Sequence, residues 1–265
     1  MTDYIMKLNF ENFILKFAAV AVLASVMLAG CDRDRLKMKI VEFKRCEALA
    51  EGRADSVIVN VSLEYPVAGI PDEAVNSIKG SICREAFRAD GSIDIEASAD
   101  SWADSCVREY RDANLELLSY LGEQGDDSAC LSWEMSVSGF VCGEYKGMIS
   151  YDVTSYSYTG GAHGSTSETG MVFDVSGNLL TETDLFGDGY RETLSGLLSS
   201  RLEESLPDPD AYNALFIKDI EPNGNFIVTQ EGVTYIYGQY EIGPYYLGII
   251  KVTLPWEDME GILKR

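Results

Sequence analysis

The sequence is poor in the residue types that build metal and cofactor sites. It contains one histidine, His163, and its six cysteines show no C-x-x-C spacing. Structural zinc sites draw their four ligands mostly from cysteine and histidine, so we expect no metal site. No G-x-S-x-G turn, which would activate a serine nucleophile, lies near the histidine. The sequence therefore predicts a non-enzymatic protein with no cofactor and no catalytic residue.

Basic residues are also scarce. The chain has 21 Lys and Arg against 43 Asp and Glu, which gives a formal net charge of −22. Such a charge repels nucleic acid and anionic lipid surfaces, so no nucleic acid partner is expected, and it steers cationic partners towards the protein. The alternative interpretation is that the charge serves solubility and repulsion between copies.

Long apolar runs are missing as well. The longest, at residues 17–28, follows Lys7 and Lys16 and is shorter than the ~20 residues that span a bilayer as a helix. It ends in Leu-Ala-Gly before Cys31, which resembles the lipobox of bacterial lipoproteins. We therefore expect residues 1–30 to be a signal peptide, Cys31 to carry acyl chains such as palmitate, and residues 31–36 to be a tether. The protein would then be held in the cell envelope through lipid alone, facing the periplasm or the exterior.

Five cysteines follow Cys31, and an oxidising envelope would permit two disulfides and one free thiol. Cys130 and Cys142 are predicted to lie on one strand, too far apart to bond. Cys83 and Cys106 are predicted to lie on two neighbouring helices, so they are the disulfide candidates. The sequence leaves the rest of the connectivity open.

The pattern of apolar residues predicts an α+β fold with largely antiparallel sheets, a few flanking helices and two closely packed modules. Strands are expected where β-branched and aromatic residues alternate, and helices where apolar residues recur every three or four positions. The predicted strands are residues 39–46, 56–67, 131–145, 148–158, 165–175, 225–230, 233–242 and 247–254. The predicted helices are residues 71–89, 99–121 and 185–206, the last ended by Pro207 and Pro209, with a short helix at the C-terminus.

The segment Tyr156-Ser-Tyr158-Thr-Gly-Gly-Ala-His163-Gly resembles the Y-x-Y-T-G-G-A-H signature of the RsiV-type domain, the extracellular part of a lysozyme-sensing anti-sigma factor. Two later stretches match the same domain in order. The first is the G-x-x-L-x-x-x-D-L-F step at residues 177–186, and the second runs from Asn225 through Tyr240-Glu-Ile-Gly-Pro-Tyr245. The resemblance implies an RsiV-like domain at residues 129–265, preceded by a PdaC-like module at residues 37–128.

The resemblance implies binding rather than catalysis. The first hypothesis is a lipid-anchored envelope protein that binds lysozyme or another cationic protein. The second is an accessory protein that binds peptidoglycan or another cell-wall glycan, and the third is an unrecognised hydrolase. Salt separates the first two, because charge steering weakens as the Debye length falls from about 10 Å at 0.1 M to about 3 Å at 1 M salt.

The candidate ligand-binding residues belong to the glycine-rich loop and to the tyrosines. Glycines let the backbone approach a ligand closely, although they equally suit a tight corner between strands. Exposed tyrosines anchor protein or glycan partners, although in a sheet they often pack with the hydroxyl reaching water. The candidates are Tyr156, Tyr158, Thr159, Gly160, Gly161, His163, Gly164, Tyr240 and Tyr245. Tyr235 and Tyr237, on one strand face, belong to the same group of tyrosines.

Overall fold

The computed structural model describes residues 36–121 and 131–264. Their largest sheet has six strands in sequence order. The strands are β1 (Lys37–Ala48), β2 (Ser56–Ala68), β3 (Trp133–Tyr145), β4 (Met148–Tyr158), β5 (Ser165–Phe173) and β6 (Leu179–Leu180). All neighbours pair antiparallel except β2 and β3, which are parallel. A parallel pair needs a long crossover, and the two helices that lie between β2 and β3 in the chain provide it.

These helices are α1 (Asp72–Phe87) and α2 (Ile95–Leu121). Helix α1 begins after Pro71 with two acidic residues in its first turn, which suits the positive end of the helix dipole, and it ends at Arg88 in the left-handed conformation. Its apolar stripe, which includes Ile78 and Ile82, packs against Leu63 and Tyr151 of the sheet. The helices therefore bury one face of the six-stranded sheet.

The second half of the chain adds a smaller antiparallel sheet of three strands. Its strands are β7 (Phe226–Val228), β8 (Gly232–Tyr237) and β9 (Ile250–Pro255). Three helices precede it, α3 (Glu182–Leu185), α4 (Tyr190–Leu202) and α5 (Pro209–Asn213), and two 3-10 turns occupy Tyr245–Leu247 and Trp256–Met259. Leu194, Leu198 and Leu202 of α4 form one core with Tyr235 and Val252.

The predicted α+β class with mostly antiparallel sheets is confirmed, but several element bounds were wrong. The helix predicted within residues 185–206 spans only Tyr190–Leu202, because Gly189 adopts a positive φ of 75° just before it, and the short helix α3 ends at Leu185. Pro209 starts α5, where Asp208 accepts a hydrogen bond from the Ala211 amide, rather than only ending a helix. The strand predicted to reach residue 242 ends at Tyr237, and the last strand starts at Ile250 rather than at residue 247.

The candidate disulfide between Cys83 and Cys106 is not formed in the structure. Both thiols are free and buried, and they belong to different apolar clusters, Cys83 with Ile78 and Cys106 with Tyr110. Cys46 and Cys142 are also free thiols. Cys31 and Cys130 lie outside the described residues, as do the predicted signal peptide and most of the tether.

The predicted module boundary at residues 128 and 129 also lies outside the described residues, so it stays a prediction. The strands on its two sides, β2 and β3, pair in one sheet, and the described residues belong to one compact unit. Within residues 36–121 and 131–264, no helix combines the length and apolarity needed to cross a membrane.

Candidate functional site

Two loops that are distant in sequence meet at one end of the sheets. The first joins β4 to β5 and contains the glycine-rich motif, and the second follows β8 and contains Tyr240 and Tyr245. Between them lies an open cavity of about 440 Å³. It is lined by Ser157, Thr159, Gly160, His163, Gly164, Ser165, Thr166, Ser167, Glu168, Asn225, Gly238, Gln239, Tyr240, Glu241 and Tyr245. Six of the nine residues singled out from the sequence are in this set.

The aromatic wall of the cavity is built by residues from both loops. The rings of His163 and Tyr245 stack with centroids 3.8 Å apart and planes inclined by 23°, and Tyr240 lies 5.7 Å from Tyr245. The Tyr245 hydroxyl donates to the carbonyl oxygen of Gly164 at 2.8 Å. His163 Nδ1 lies 3.1 Å from the same oxygen. These contacts join the two loops into one surface.

The three remaining residues singled out from the sequence support the loop rather than line the cavity. The Tyr158 hydroxyl donates to the Gly161 carbonyl oxygen at 3.1 Å. Tyr156 packs so closely against Gly164 that a Cβ there would overlap its ring. Gly164 is therefore required for a close approach of two chain segments, whereas Gly160 and Gly161 adopt positive φ angles of 95° and 96°.

Tyr240 is held in an unusual backbone conformation. Its φ is 65°, a region that non-glycine residues with bulky side chains rarely adopt. The turn around it is closed by Glu241, whose amide donates to the Gly238 carbonyl oxygen at 3.1 Å and whose Oε2 accepts from the Gly238 amide at 2.6 Å. Asn223 Nδ2 donates to Glu241 Oε1 at 2.8 Å. The turn presents Tyr240 to solvent, with 57% of the residue's surface exposed.

Tyr235 and Tyr237 have no part in this surface. Both are buried in the core, and the Tyr237 hydroxyl donates to the Glu221 carbonyl oxygen at 2.9 Å. Of the two interpretations left open for these tyrosines, packing on the sheet is confirmed and exposed anchoring is excluded, since every residue of strand β8 is buried.

A cluster of charged side chains beside the cavity was not recognised from the sequence. Glu168, which lines the cavity, forms an ion pair with Lys251 of β9, and Lys251 Nζ lies 3.8 Å from Asp152 Oδ2. Burial, followed by the hydrogen bond and the charge of Glu168, raises the pKa of Asp152 to about 8. The surroundings of Asp152 therefore favour its protonated, neutral form. Because side chains alternate along a strand, the sequence of β4 and β5 could have indicated that Asp152 and Glu168 face inward, but it could not indicate that the two acids lie side by side.

Cys142 belongs to the same region. Burial, with a smaller contribution from the charge of Asp152, raises the pKa of its thiol to about 12. The thiol is thus uncharged at neutral pH and is a weak nucleophile. Across the part of the chain that the structure describes, no group of three or more His, Cys, Asp or Glu side chains is arranged to hold a metal ion.

Two amide side chains hold the outer wall of the cavity, and these too were missed from the sequence. Asn225 accepts from the Gly170 amide and donates to the Glu168 carbonyl oxygen, both at 2.8 Å. Gln239 accepts from the Thr166 amide at 2.8 Å. Both residues pair with the backbone of β5 within residues 166–170, a stretch that its partner β6 does not reach, so they satisfy strand groups that would otherwise lack a partner.

The fold and the site together define an α+β protein with two sheets and an open, loop-built cavity at one end. Comparison with known proteins adds two family matches. Residues 53–166 match the family described as Deacetylase PdaC, and residues 183–257 match Protein of unknown function (DUF3298). The first match extends past the predicted boundary at residue 128 and includes the glycine-rich loop. The second includes the loop that carries Tyr240 and Tyr245.

Two solved structures are similar. A member of the DUF3298 family from Bacteroides fragilis NCTC 9343 has a TM-score of 0.77 and 23% identity, covering 89% of this chain and 96% of its own. A DUF3298 family protein from Pseudomonas aeruginosa PAO1 has a TM-score of 0.62 and 20% identity, covering 88% of this chain and 96% of its own. At these identities the likeness shows a shared fold. No curated protein gives a significant match.

Proposed function

We propose that this chain is a lipid-anchored envelope protein of the RsiV-like type that binds a cationic protein, with lysozyme as the named candidate. It acts by binding, with no catalytic step. The single observation that carries the proposal is the cavity between the two loops, whose formally charged lining residues are Glu168 and Glu241. A basic side chain entering the cavity would meet the Glu241 carboxylate and three aromatic rings, while Glu168 is already paired with Lys251.

The charge of the whole chain supports the same partner. A net charge of −22 attracts a cationic protein over distances longer than any contact and raises the rate of encounter. Aromatic rings beside carboxylates add a local attraction, because a cation over a Tyr face is stabilised by about 0.5–1 kcal/mol at exposed sites. The rings of Tyr240 and Tyr245 are placed for this contact.

The proposal is tested by calorimetry with lysozyme, using the chain from Asp32 onward, which contains the whole compact unit. We expect binding that weakens between 0.05 M and 0.5 M salt. Glu241→Gln should weaken binding several-fold. The matched control is Glu260→Gln, which removes the same charge beyond the opposite end of β9. Equal effects of the two variants would contradict a role for the cavity, and no binding at any salt would contradict the proposal itself.

A second candidate is binding of a cell-wall glycan. It is favoured by the exposed ring of Tyr240 next to the hydroxyl groups of Thr159, Ser165 and Ser167, which together suit stacking and hydrogen bonding of a sugar. Titration with oligomers of N-acetylglucosamine distinguishes it. Binding that survives high salt and is lost in Tyr240→Ala would support the glycan instead of the cationic protein.

A further inference from the structure

The cavity is too small to be the whole contact surface for a protein. A specific protein–protein interface buries about 800 Å² on each partner, with a few aromatic and aliphatic anchors surrounded by polar groups. If the proposed function is correct, the partner must therefore contact side chains beyond the cavity. Large apolar side chains that are exposed to solvent mark the part of the surface where such contacts are expected.

The described residues include eleven exposed large hydrophobic side chains, and four of these lie on two adjacent segments. Tyr240 and Tyr246 belong to the loop that forms the cavity, with 57% and 71% of their surface exposed. Phe216 and Ile217 follow α5, with 63% and 46% exposed. The group combines rings and a branched aliphatic side chain, which is the composition of an interface core rather than of an ordinary acidic surface.

The two segments are fixed to one another. The amides of Phe216 and Ile217 both donate to the carbonyl oxygen of Ile242, at 2.9 and 3.2 Å. Gly243 lies so close to the Leu215 side chain that a Cβ there would meet it at 2.9 Å. The segment with Phe216 therefore packs directly against the loop that carries Tyr240, so these side chains are displayed on a rigid support.

The backbone at Tyr240 supports a functional reading of this surface. A positive φ is unfavourable for a bulky residue such as Tyr240, and it persists only when the surroundings enforce it. Here Gly238, Glu241 and Asn223 enforce it, and the result is an aromatic ring exposed to solvent. Folding alone gains little from a strained turn that exposes an aromatic ring.

We infer that Phe216, Ile217, Tyr240 and Tyr246 form an interaction surface, named here the aromatic rim, that docks the body of a cationic protein while the cavity receives one of its side chains. This inference rests on the proposed function. Charge selects the partner: the net charge of −22 disfavours anionic membranes and a second copy of this chain, and it favours a basic protein surface. The rim supplies the desolvated contacts that slow dissociation.

The test is binding of lysozyme to the chain from Asp32 onward in three forms. These are the unchanged chain, the double variant Phe216→Ser/Ile217→Ser, and the control Val175→Ser/Leu179→Ser, which alters two exposed apolar residues, one in the turn before β6 and one in β6. Circular dichroism and the melting temperature establish that each form is folded. We expect the Kd of the rim variant to rise at least tenfold, mainly through a faster koff, and that of the control to change less than twofold.

The outcomes separate the inference from the function on which it rests. If the unchanged chain binds lysozyme and the rim variant binds equally well, the aromatic rim is overturned while the proposed function stands. If the unchanged chain binds neither lysozyme nor a second basic protein such as cytochrome c, the proposed function fails and the rim fails with it. A rim variant that loses protein binding but keeps binding of N-acetylglucosamine oligomers would support the rim as a protein-specific surface.

Discussion

The hydroxyl of Tyr245 donates to the carbonyl oxygen of Gly164 across 81 positions of sequence, while its ring stacks on His163. One tyrosine thus fixes the glycine-rich loop to the second loop by both a polar and an apolar contact. The single histidine of the chain is engaged with this ring rather than with a second histidine or an acid.

The Tyr245 contact leads to the first prediction. Tyr245→Phe keeps the ring stack but removes the hydrogen bond, so we expect a loss of about 1 kcal/mol in the free energy of unfolding and weaker ligand binding. Tyr246→Phe is the control for stability, since Tyr246 is 71% exposed. Urea unfolding measures both. An unchanged free energy of unfolding in Tyr245→Phe would show that the hydrogen bond does not stabilise the junction.

Gly164 provides a second prediction, because its role is steric. In Gly164→Ala the new Cβ overlaps the ring of Tyr156, so either this ring or the loop must move. We expect a loss of stability of about 1–3 kcal/mol and impaired binding. Ala162→Ser, at an exposed position of the same loop, should change neither. A Gly164→Ala variant with normal binding would mean that the loop shape is not needed for recognition.

The buried carboxylate Glu182 supports the far wall of the site. It accepts from the Tyr190 hydroxyl at 2.7 Å and from the Gly224 amide at 2.9 Å, and thereby holds the segment that carries Asn225. Hydrogen bonds to a charged group each contribute about 1.5–3 kcal/mol, so Glu182→Gln should lower the free energy of unfolding by that order. Glu192→Gln, an exposed acid on α4, should have no effect beyond about 0.5 kcal/mol.

Asp152 makes stability depend on pH in a definite direction. Burial and the neighbouring Glu168 raise the pKa of Asp152 from 3.8 to about 8 in the folded chain. Folding therefore takes up a proton between these values, so this group's contribution to stability is full below pH 3.8 and is lost as the pH rises towards about 8. In Asp152→Asn the side chain stays neutral, so the free energy of unfolding should fall less steeply as the pH rises. Urea unfolding at pH 5, 7 and 9 tests this, and parallel curves for the two proteins would contradict it.

The free thiols predict a pattern of chemical modification. Among the cysteines that the structure describes, Cys46 is exposed, whereas Cys83 and Cys106 are buried, and burial raises the pKa of Cys106 to about 11. We expect maleimide to label Cys46 rapidly in the folded protein and the other two only after unfolding. Mass spectrometry identifies the labelled peptides. If Cys83 and Cys106 stay unlabelled in the unfolded protein until a reductant is added, the two cysteines form a disulfide, contrary to the structure.

Local signals predicted most of the strands. The alternation of Val57, Val59 and Val61 places their side chains on one face, and all three are buried. The turn after Tyr145 was also predicted from the sequence. In the structure Lys146 and Gly147 adopt the positive φ angles that a tight hairpin needs. The stripe of Leu194, Leu198 and Leu202 likewise predicted α4, but the local pattern did not show that this helix begins only at Tyr190, after Gly189.

The sequence by itself determined the α+β class and the excess of acids, because these follow from local pattern and composition, and its resemblance to the RsiV-type domain, with its glycines and tyrosines, singled out six residues that line the cavity. The tertiary structure decided what those residues touch. Only pairing of the strands brings the two loops together, pairs Lys251 with Asp152 and Glu168, and keeps Cys83 apart from Cys106. The physical reason is that burial and charge coupling depend on distances between residues far apart in the chain, which no local pattern specifies.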